Sequence, residues 1–284
     1  MSPIPPPSNF PPTKEGHIVA QDGLRLAWFR WDPPGAPRGT ICLAHGQGEH
    51  VGRYHHVARA FVAAGFAFLA FDMRGHGRSE GIRGHSPTLA HILDDFERVM
   101  SSAPAGPCIA YGHSTGGLLV LQAGLAHTDR IDGVIATSPW LRLAFPAPAF
   151  KVLLAKALKG ILPSMTVSTG LEQAALSRDP EVVAAYAADP LVHDQLSFRL
   201  GLDLLNAGRR VLEHAMDFRL PLLLMHGEAD RLVDPQATRE FYDRAASPDK
   251  TLQLWPGLYH ETHNEPEWGR VVEVSTGWAV SHAG

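Results

Sequence analysis

Residues 108–121 read Cys-Ile-Ala-Tyr-Gly-His-Ser-Thr-Gly-Gly-Leu-Leu-Val-Leu. A short apolar run typical of a strand leads into Gly-x-Ser-x-Gly at 112–116, and an apolar run typical of a helix follows. This context exposes a nucleophilic serine on a sharp turn. We expect a strained backbone at Ser114, and a collision with neighbouring backbone for any side chain at Gly112 or Gly116. The motif alone also fits an ordinary Gly/Ser turn, so the rest of the chain has to decide.

The composition suits one large α/β domain, because the chain has 284 residues and is 45% hydrophobic. A net charge of −4 and the lack of a basic block argue against nucleic acid as a partner. Cys42 and Cys108 both lie in apolar, strand-like runs, so we predict buried, reduced thiols rather than a disulfide or a metal site. No cluster of His, Cys and carboxylate residues has zinc spacing, and we expect neither a metal nor a cofactor.

The N-terminus is a Pro-rich arm over residues 1–13, which we expect to be extended or disordered. It lacks the basic start and the apolar segment of a signal peptide. No apolar stretch of the sequence is long and uninterrupted enough to span a membrane. We therefore predict a cytoplasmic protein.

Strand-like apolar runs alternate with helix-like segments on both sides of the serine motif, after a hairpin signal at Asp22-Gly23. Continuous apolar strands separated by amphipathic helices predict a mostly parallel, eight-stranded sheet covered on both faces. The predicted strands are residues 17–20, 24–31, 40–44, 66–71, 108–111, 131–137, 220–225 and 251–254.

The alternation stops after the sixth strand, where residues 140–218 contain helix-like segments and no convincing strand. We predict a core made of residues 14–139 and 219–284, with residues 140–218 inserted as a helical cap or lid. One helical wheel within the insertion favours a helix that packs on the body, and a face that meets lipid or a membrane surface stays open. Its apolar side comprises Leu153, Leu154, Ala157, Leu158 and Ile161, and its other side Lys151, Lys156 and Lys159.

A serine nucleophile needs a base and an orienting carboxylate, which follow the serine in the order acid, then histidine, in this architecture. Asp230 lies in the loop after the strand at 220–225, and we favour it over Glu228 because it is short and deep in the loop. Asp234, directly before Pro235, instead fits a helix N-cap.

The candidate base is His260, which follows the strand at 251–254 and comes thirty residues after Asp230. His263 is its nearest rival but lies further from the strand end. His113 cannot easily fold back onto the Ser114 hydroxyl, so we expect its ring to pack beside the turn.

Stabilisation of an oxyanion requires two N–H donors. We assign one to the backbone of Thr115 and the other to the backbone of Gln47, in the Gly-rich loop 44–50 after the third strand. His45, Glu49 and His50 would brace that loop by hydrogen bonds. A second Gly-rich loop, residues 71–79, lacks the spacing of a phosphate loop, and we predict a structural turn anchored by Asp72 and Arg74.

Taken together, these motifs resemble the α/β-hydrolases of the monoacylglycerol lipase and lysophospholipase group, from about residue 14 to the end of the chain. The resemblance implies Ser114, Asp230 and His260 as the triad, with Gln47 and Thr115 in the oxyanion hole. Relatives often hold a smaller residue at the position of Gln47 and Met at that of Thr115, so the pocket shape can differ. The motifs that carry the resemblance are residues 45–54, 72–79, 112–117, 226–233 and 259–265.

The sequence therefore predicts a serine ester hydrolase that cleaves monoacylglycerol-like or lysophospholipid-like esters through an acyl-enzyme. A carboxylesterase, thioesterase or amidase on a non-lipid substrate stays open, because one fold serves many reactions. A non-catalytic binding protein on the same fold is the alternative of a different class. Acyl-chain preference, head group and oligomeric state do not follow from the sequence.

Overall fold

The computed structural model describes residues 10–126, 129–146 and 149–283. Most of the predicted Pro-rich arm, residues 1–9, lies outside the described residues, as do the side chains of residues 149 and 151. The strands are β1 Lys14–Val19, β2 Arg25–Trp31, β3 Thr40–Ala44, β4 Ala67–Phe71, β5 Cys108–His113, β6 Gly133–Thr137, β7 Thr166–Ser168, β8 Gln195–Ser197, β9 Leu222–Gly227 and β10 Lys250–Trp255. The helices are α1 His55–Ala63, α2 Leu89–Met100, α3 Thr115–Leu125, α4 Ala149–Leu158, α5 Pro180–Ala188, α6 Phe198–Glu213, α7 Pro235–Arg244 and α8 Trp268–His282.

Eight strands of the described chain form one sheet in the order β1-β2-β4-β3-β5-β6-β9-β10. The first two strands form the predicted antiparallel hairpin, and β4 to β10 along this order run parallel. Strands β3 and β4 are buried at every residue, as expected for parallel strands covered on both faces. The predicted fold, a mostly parallel eight-stranded sheet flanked by helices, is confirmed.

The apolar core has two layers, one on each face of the sheet. Along β3, Cys42 and Ala44 enter the layer packed on α2, α3 and α6, whereas Ile41 and Leu43 enter the layer packed on α1 and α8. This division follows from the alternation of side chains along a strand. The thiols of Cys42 and Cys108 are buried, as predicted, and form no disulfide; the two Sγ atoms lie 3.4 Å apart across neighbouring strands.

The segment 140–218, which we call the inserted segment, connects β6 to β9. The prediction that it contains no strand is wrong, because β7 and β8 pair as a two-stranded antiparallel ribbon. Each of these strands has only three residues, of mixed polarity. A segment of this length is too short to show a period-two pattern in the sequence. Helix α6 closes the segment and packs five apolar side chains onto the core layer that also holds α3, namely Leu200, Leu204, Ala207, Val211 and Leu212.

Helix α4 packs on α6 through a different face from the one the sequence suggested. Ala155 is buried against Phe198 and Leu202, with Val152 and Leu158 partly buried beside it. Leu153 and Ile161, on the predicted packing face, are 70% and 75% exposed. Helical spacing identifies an apolar stripe but not its partner, and here much of the stripe meets solvent. None of the helices among the described residues is both long and apolar enough to cross a membrane.

Candidate active site

Ser114 lies on the sharp turn between β5 and α3, with φ 53° and ψ −114°. A Cβ added to Gly112 would lie 2.2 Å from the carbonyl oxygen of Gly116, and one added to Gly116 would lie 1.9 Å from that of Ala44. Both contacts are far inside van der Waals distance, so the predicted steric need for the two glycines is confirmed. The turn holds Ser114 at the N-terminus of α3, where the helix dipole favours negative charge.

Main-chain hydrogen bonds fix this turn on three sides. Ser114 N donates to the carbonyl of Thr137 in β6, and the Ser114 carbonyl accepts from the N–H groups of Leu118 and Trp140. The strained conformation is therefore imposed by the sheet, by α3 and by the start of the inserted segment. The side chain is left to face a cavity that it lines.

The candidate acid and base are in direct contact. Asp230, in the loop after β9, accepts a hydrogen bond from Nδ1 of His260 at 2.6 Å, and His260 lies in the loop after β10. Strands β9 and β10 are parallel neighbours, which brings these two loops to the same edge of the sheet. Glu228 is exposed, and Asp234 caps α7 by accepting from Gln236 N, so both have the positions expected of them.

Asp230 is buried and its two carboxylate oxygens are both occupied. Oδ1 accepts from the backbone N–H groups of Leu232 and Val233, and Oδ2 accepts from His226 Nε2 as well as from His260. Burial alone would raise the pKa of this carboxyl, but the charge of His260 and the hydrogen bonds from both histidines hold it well below its usual range. The group is therefore a carboxylate throughout the range of neutral pH.

His260 is positioned by its backbone as well as by its ring. Its carbonyl accepts from Ser138 Oγ at 2.7 Å, and Ser138 itself has a positive φ of 42°. The His113 ring packs 4.8 Å from the His260 ring, which is the predicted place beside the turn. Burial lowers the pKa of His260, but the charge and the hydrogen bond of Asp230 outweigh it, so that pKa lies above the ordinary 6.5.

The loop after β3, residues 45–50, passes beside Ser114, and we call it the donor loop. A Cβ added to Gly46 would lie 3.4 Å from Ser114 Cβ. Glu49 Oε1 accepts from the Gly46 N–H at 2.6 Å, and His45 Nδ1 donates to the Gly46 carbonyl at 2.7 Å. The prediction that these side chains brace the loop is confirmed. Within the described part of the chain, the backbone N–H groups of Gln47 and Thr115 donate to no protein acceptor.

Arg53 joins the donor loop to the loop of His260. Its guanidinium donates two bonds of 2.6 Å to Glu261, the residue after His260, and one of 2.7 Å to Glu49. Burial raises the pKa of Glu49 more than its contacts lower it, whereas the bidentate bonds from Arg53 hold that of Glu261 at about 2. One buried cation thus fixes the distance between the two loops that flank Ser114.

Ser114, His260, Gly46 and Gln47 line a cavity of about 540 Å³ beneath the inserted segment. This volume is ordinary for a site that takes a small organic molecule. Most of the wall is apolar and comes from the inserted segment, including Val152, Val167, Leu196, Phe198, Leu202 and Leu205. In the described residues, no cluster of His, Cys, Asp and Glu side chains has the arrangement of a metal site.

Similarity to known proteins extends over the whole site. The family described as serine aminopeptidase, S33, matches residues 35–267. A monoacylglycerol lipase of Mycolicibacterium smegmatis is 41% identical over 276 residues, which cover 95% of this chain and 98% of that protein. The chain belongs to this α/β-hydrolase family. It is a serine ester hydrolase of the monoacylglycerol lipase group, and the predicted resemblance is confirmed.

Two further relatives agree with this membership. The monoglyceride lipase of Homo sapiens is 35% identical, over 93% of this chain and 89% of that protein. The crystal structure of a monoacylglycerol lipase from Paleococcus ferrophilus matches with a TM-score of 0.85 at 36% identity, over 90% of this chain and 99% of that one. The α/β-hydrolase core and the inserted segment are therefore both within the matched length.

In this hydrolase the structure brings Ser114, Asp230, His260 and the backbone of Gln47 and Thr115 to one edge of the sheet. Sequence reasoning missed three partners of that group: His226 on Asp230, Ser138 on the His260 carbonyl, and Arg53 between two loops. Arg53 and Glu261 are 208 positions apart, so no local spacing could pair them. A signal for His226 existed, since it stands at the end of the strand that precedes Asp230.

Proposed function

We propose that this hydrolase cleaves monoacylglycerols, with Ser114 as nucleophile, His260 as general base and Asp230 as the group that orients His260. The observation that carries the proposal is the buried Asp230–His260 pair, whose histidine lines the same apolar cavity as the strained serine. A base fixed by a carboxylate, beside a serine held at a helix N-terminus, is the arrangement that acyl transfer to serine requires.

In the proposed reaction, Ser114 Oγ attacks the ester carbonyl while His260 Nε2 takes its proton. The carbonyl oxygen becomes an oxyanion and accepts hydrogen bonds from the backbone N–H groups of Gln47 and Thr115, which have no protein acceptor within the described residues. The glycerol leaves with the proton from His260, and an acyl-Ser114 ester remains. His260 then activates a water that hydrolyses this ester.

The charges around the cavity favour a neutral head group over the phosphate of a lysophospholipid. Among the described residues that line the cavity, Arg231 is the only Lys or Arg. It is paired with Glu172 at the exposed rim. Arg53, behind the wall, is already neutralised by two carboxylates. A phosphate would find acidic neighbours and no free cation among these residues, whereas glycerol hydroxyls need only hydrogen-bond partners.

We further propose that the inserted segment is a cap through which the substrate arrives from a lipid surface. Several of its large apolar side chains are exposed, and one of them, Phe145, also lines the cavity. An exposed apolar face of this kind marks an interaction site with lipid or protein. The exposed set in the described segment is Phe145, Phe150, Leu153, Leu154, Ile161, Leu162 and Met165.

The test is a hydrolysis panel in which matched acyl chains are carried by glycerol, lysophosphatidylcholine, thioester and anilide. We expect the glycerol ester to be turned over with the highest kcat/KM, and Ser114→Ala to abolish that turnover. Ser102→Ala, an exposed serine at the end of α2, serves as the matched control and should keep full activity. Turnover retained by Ser114→Ala would refute the proposed nucleophile, and a preference for the lysophospholipid would refute the head-group assignment.

A further inference from the structure

Gln47 is tied to the inserted segment by its side chain. Its Nε2 donates to the main-chain oxygen of Gln195, in β8, at 3.1 Å. The same residue carries one of the two backbone N–H groups proposed as oxyanion donors, which have no protein acceptor among the described residues. The side chain of Gln47 is thus hydrogen-bonded to the wall of the cavity, and its backbone belongs to the loop that passes beside the candidate nucleophile.

The contact of Gln47 is one of three between the donor loop and residues 189–197, which we call the anchoring segment. His193 N donates to the Gly48 carbonyl at 2.9 Å, and His50 Nε2 donates to Asp189 Oδ2 at 2.8 Å. Gly48 has φ +81°, and a Cβ there would lie 2.3 Å from the His193 carbonyl oxygen. The backbones of loop and segment therefore touch directly.

The core also holds the far end of the anchoring segment. Ser197 N donates to the carbonyl of Gly84 at 2.9 Å, and Ser197 Oγ bonds with His85 Nδ1 at 2.8 Å. A Cβ on Gly84 would lie 1.9 Å from the Gln195 oxygen, the same atom that accepts from Gln47. The Gln195 carbonyl that accepts from Gln47 therefore lies in a segment that is packed against the core and hydrogen-bonded to it.

The anchoring segment leads into the apolar end of the cavity. Val167 of β7 and Leu196 of β8 are register partners in the ribbon, and both line the cavity beside Phe198. An acyl chain that fills this end packs against the ribbon that carries the acceptor of Gln47. We expect a short acyl group bound at Ser114 to leave this ribbon without such contacts.

We propose that the Gln47 side chain is a positioning group that couples occupancy of the acyl end of the cavity to the orientation of the Gln47 backbone N–H at the oxyanion. The inference rests on the proposed function, since it requires an ester carbonyl at Ser114. A long acyl chain packs against β8 and restricts its motion. The Gln195 carbonyl in β8 then holds the Gln47 side chain, which aligns the backbone N–H of Gln47 before attack. Contacts remote from the reacting bond are thereby used for orientation, which raises kcat rather than lowering KM.

The experiment compares kcat and KM of the wild type and Gln47→Met for p-nitrophenyl decanoate and p-nitrophenyl acetate. Methionine has a similar length but donates no hydrogen bond. We expect kcat for the decanoate to fall about tenfold with KM nearly unchanged, less than the loss that follows removal of an oxyanion donor. The kcat for the acetate should fall by a clearly smaller factor than that for the decanoate. Gln236→Met, on the exposed start of α7, should match the wild type with both esters.

An equal fall in kcat for both esters, a change confined to KM, or no change would each overturn the coupling. Gln47→Leu repeats the test with a second side chain that lacks a donor, and thermal unfolding of both variants reports whether they fold. Ser114→Ala, assayed on the same esters, separates the two proposals. If it keeps its turnover, the proposed function fails; if it is inactive while Gln47→Met retains the acyl-chain dependence of the wild type, the coupling alone fails.

Discussion

At the scale of single residues, the site depends on where a side chain is forbidden as much as on where one is present. Ser114 keeps a positive φ because Gly112 and Gly116 let β5, α3 and the end of β3 meet at backbone distance. The sequence motif predicted this need, because the pentapeptide encodes a turn whose sterics are local. It could not predict Ser138, whose contact with the carbonyl of His260 forms only when β6, β9 and β10 lie side by side.

Substitution of a single glycine in α3 tests this steric requirement. We expect Gly116→Ala to lower the free energy of unfolding by about 3 kcal/mol or more, because the new methyl group has to displace the backbone at Ala44. Gly277→Ala, in α8 with no atom within 4 Å of the added carbon, should instead stabilise by up to about 1 kcal/mol. Urea denaturation measures both. Equal effects of the two substitutions would contradict the steric explanation.

The pKa of His260 predicts the pH dependence of the reaction. The proposed base, His260, must be neutral to accept a proton, and Asp230 raises its pKa above 6.5, so kcat/KM should rise with pH with a midpoint above that value. In Asp230→Asn the charge that raises the pKa of His260 is gone while its burial remains, so the midpoint should move to lower pH, and kcat should fall roughly ten-thousand-fold.

The control for this profile is Asp234→Asn, because asparagine caps a helix as well as aspartate does and Asp234 lies outside the site. Its profile should overlay that of the wild type. A midpoint that stays in place in Asp230→Asn would show that the carboxylate does not set the pKa of His260.

At the scale of elements, two loops that are distant in sequence are held together by a shared ion pair. The donor loop and the loop after β10 share Arg53, which is buried between Glu49 and Glu261. Continuous apolar runs in the sequence predicted the strands that carry these loops, because a strand buried on both faces of a sheet is apolar at nearly every position. They did not predict β7 and β8, whose ribbon forms through main-chain pairing and packing against α6 rather than through a pattern of its own.

Removal of the cation shared by the two loops should lower the free energy of unfolding more than removal of a surface cation does. We expect Arg53→Met to lower the free energy of unfolding by about 3–5 kcal/mol, since two buried carboxylates lose their partner. Arg98→Met breaks an exposed pair with Asp94 within α2, and should cost no more than about 1 kcal/mol. Chemical denaturation of the two variants side by side makes the comparison. A loss of similar size in both would mean that the buried network adds little.

At the scale of the whole molecule, the inserted segment has two unlike parts. Residues 189–197 are joined to the core by hydrogen bonds, whereas α4 and the turn after it expose large apolar side chains. The apolar stripe of α4 is visible in the sequence. The sequence could not assign the stripe to solvent, because that depends on which face of α4 meets α6, and the small residue Ala155 makes that contact.

If the exposed stripe meets lipid, its loss should affect only substrate presented at a surface. We expect Leu153→Ser with Ile161→Ser to lower the hydrolysis rate of monoacylglycerol in vesicles by about tenfold or more, since two exposed side chains of this size lose apolar burial. The rate with a water-soluble ester should stay the same. Val280→Ser, which removes an exposed apolar side chain from α8, is the control and should alter neither rate.

The pair of thiols at the centre of the sheet has a consequence for the kinetics of unfolding. Cys42 and Cys108 lie on adjacent strands, beneath the donor loop and the serine turn, and both are buried. Both side chains project into the core layer packed on α2, α3 and α6, so an alkylating reagent reaches either sulfur only when this helical layer opens from the sheet. The rate of alkylation under native conditions therefore reports how often the layer that covers the central strands opens, without an added label.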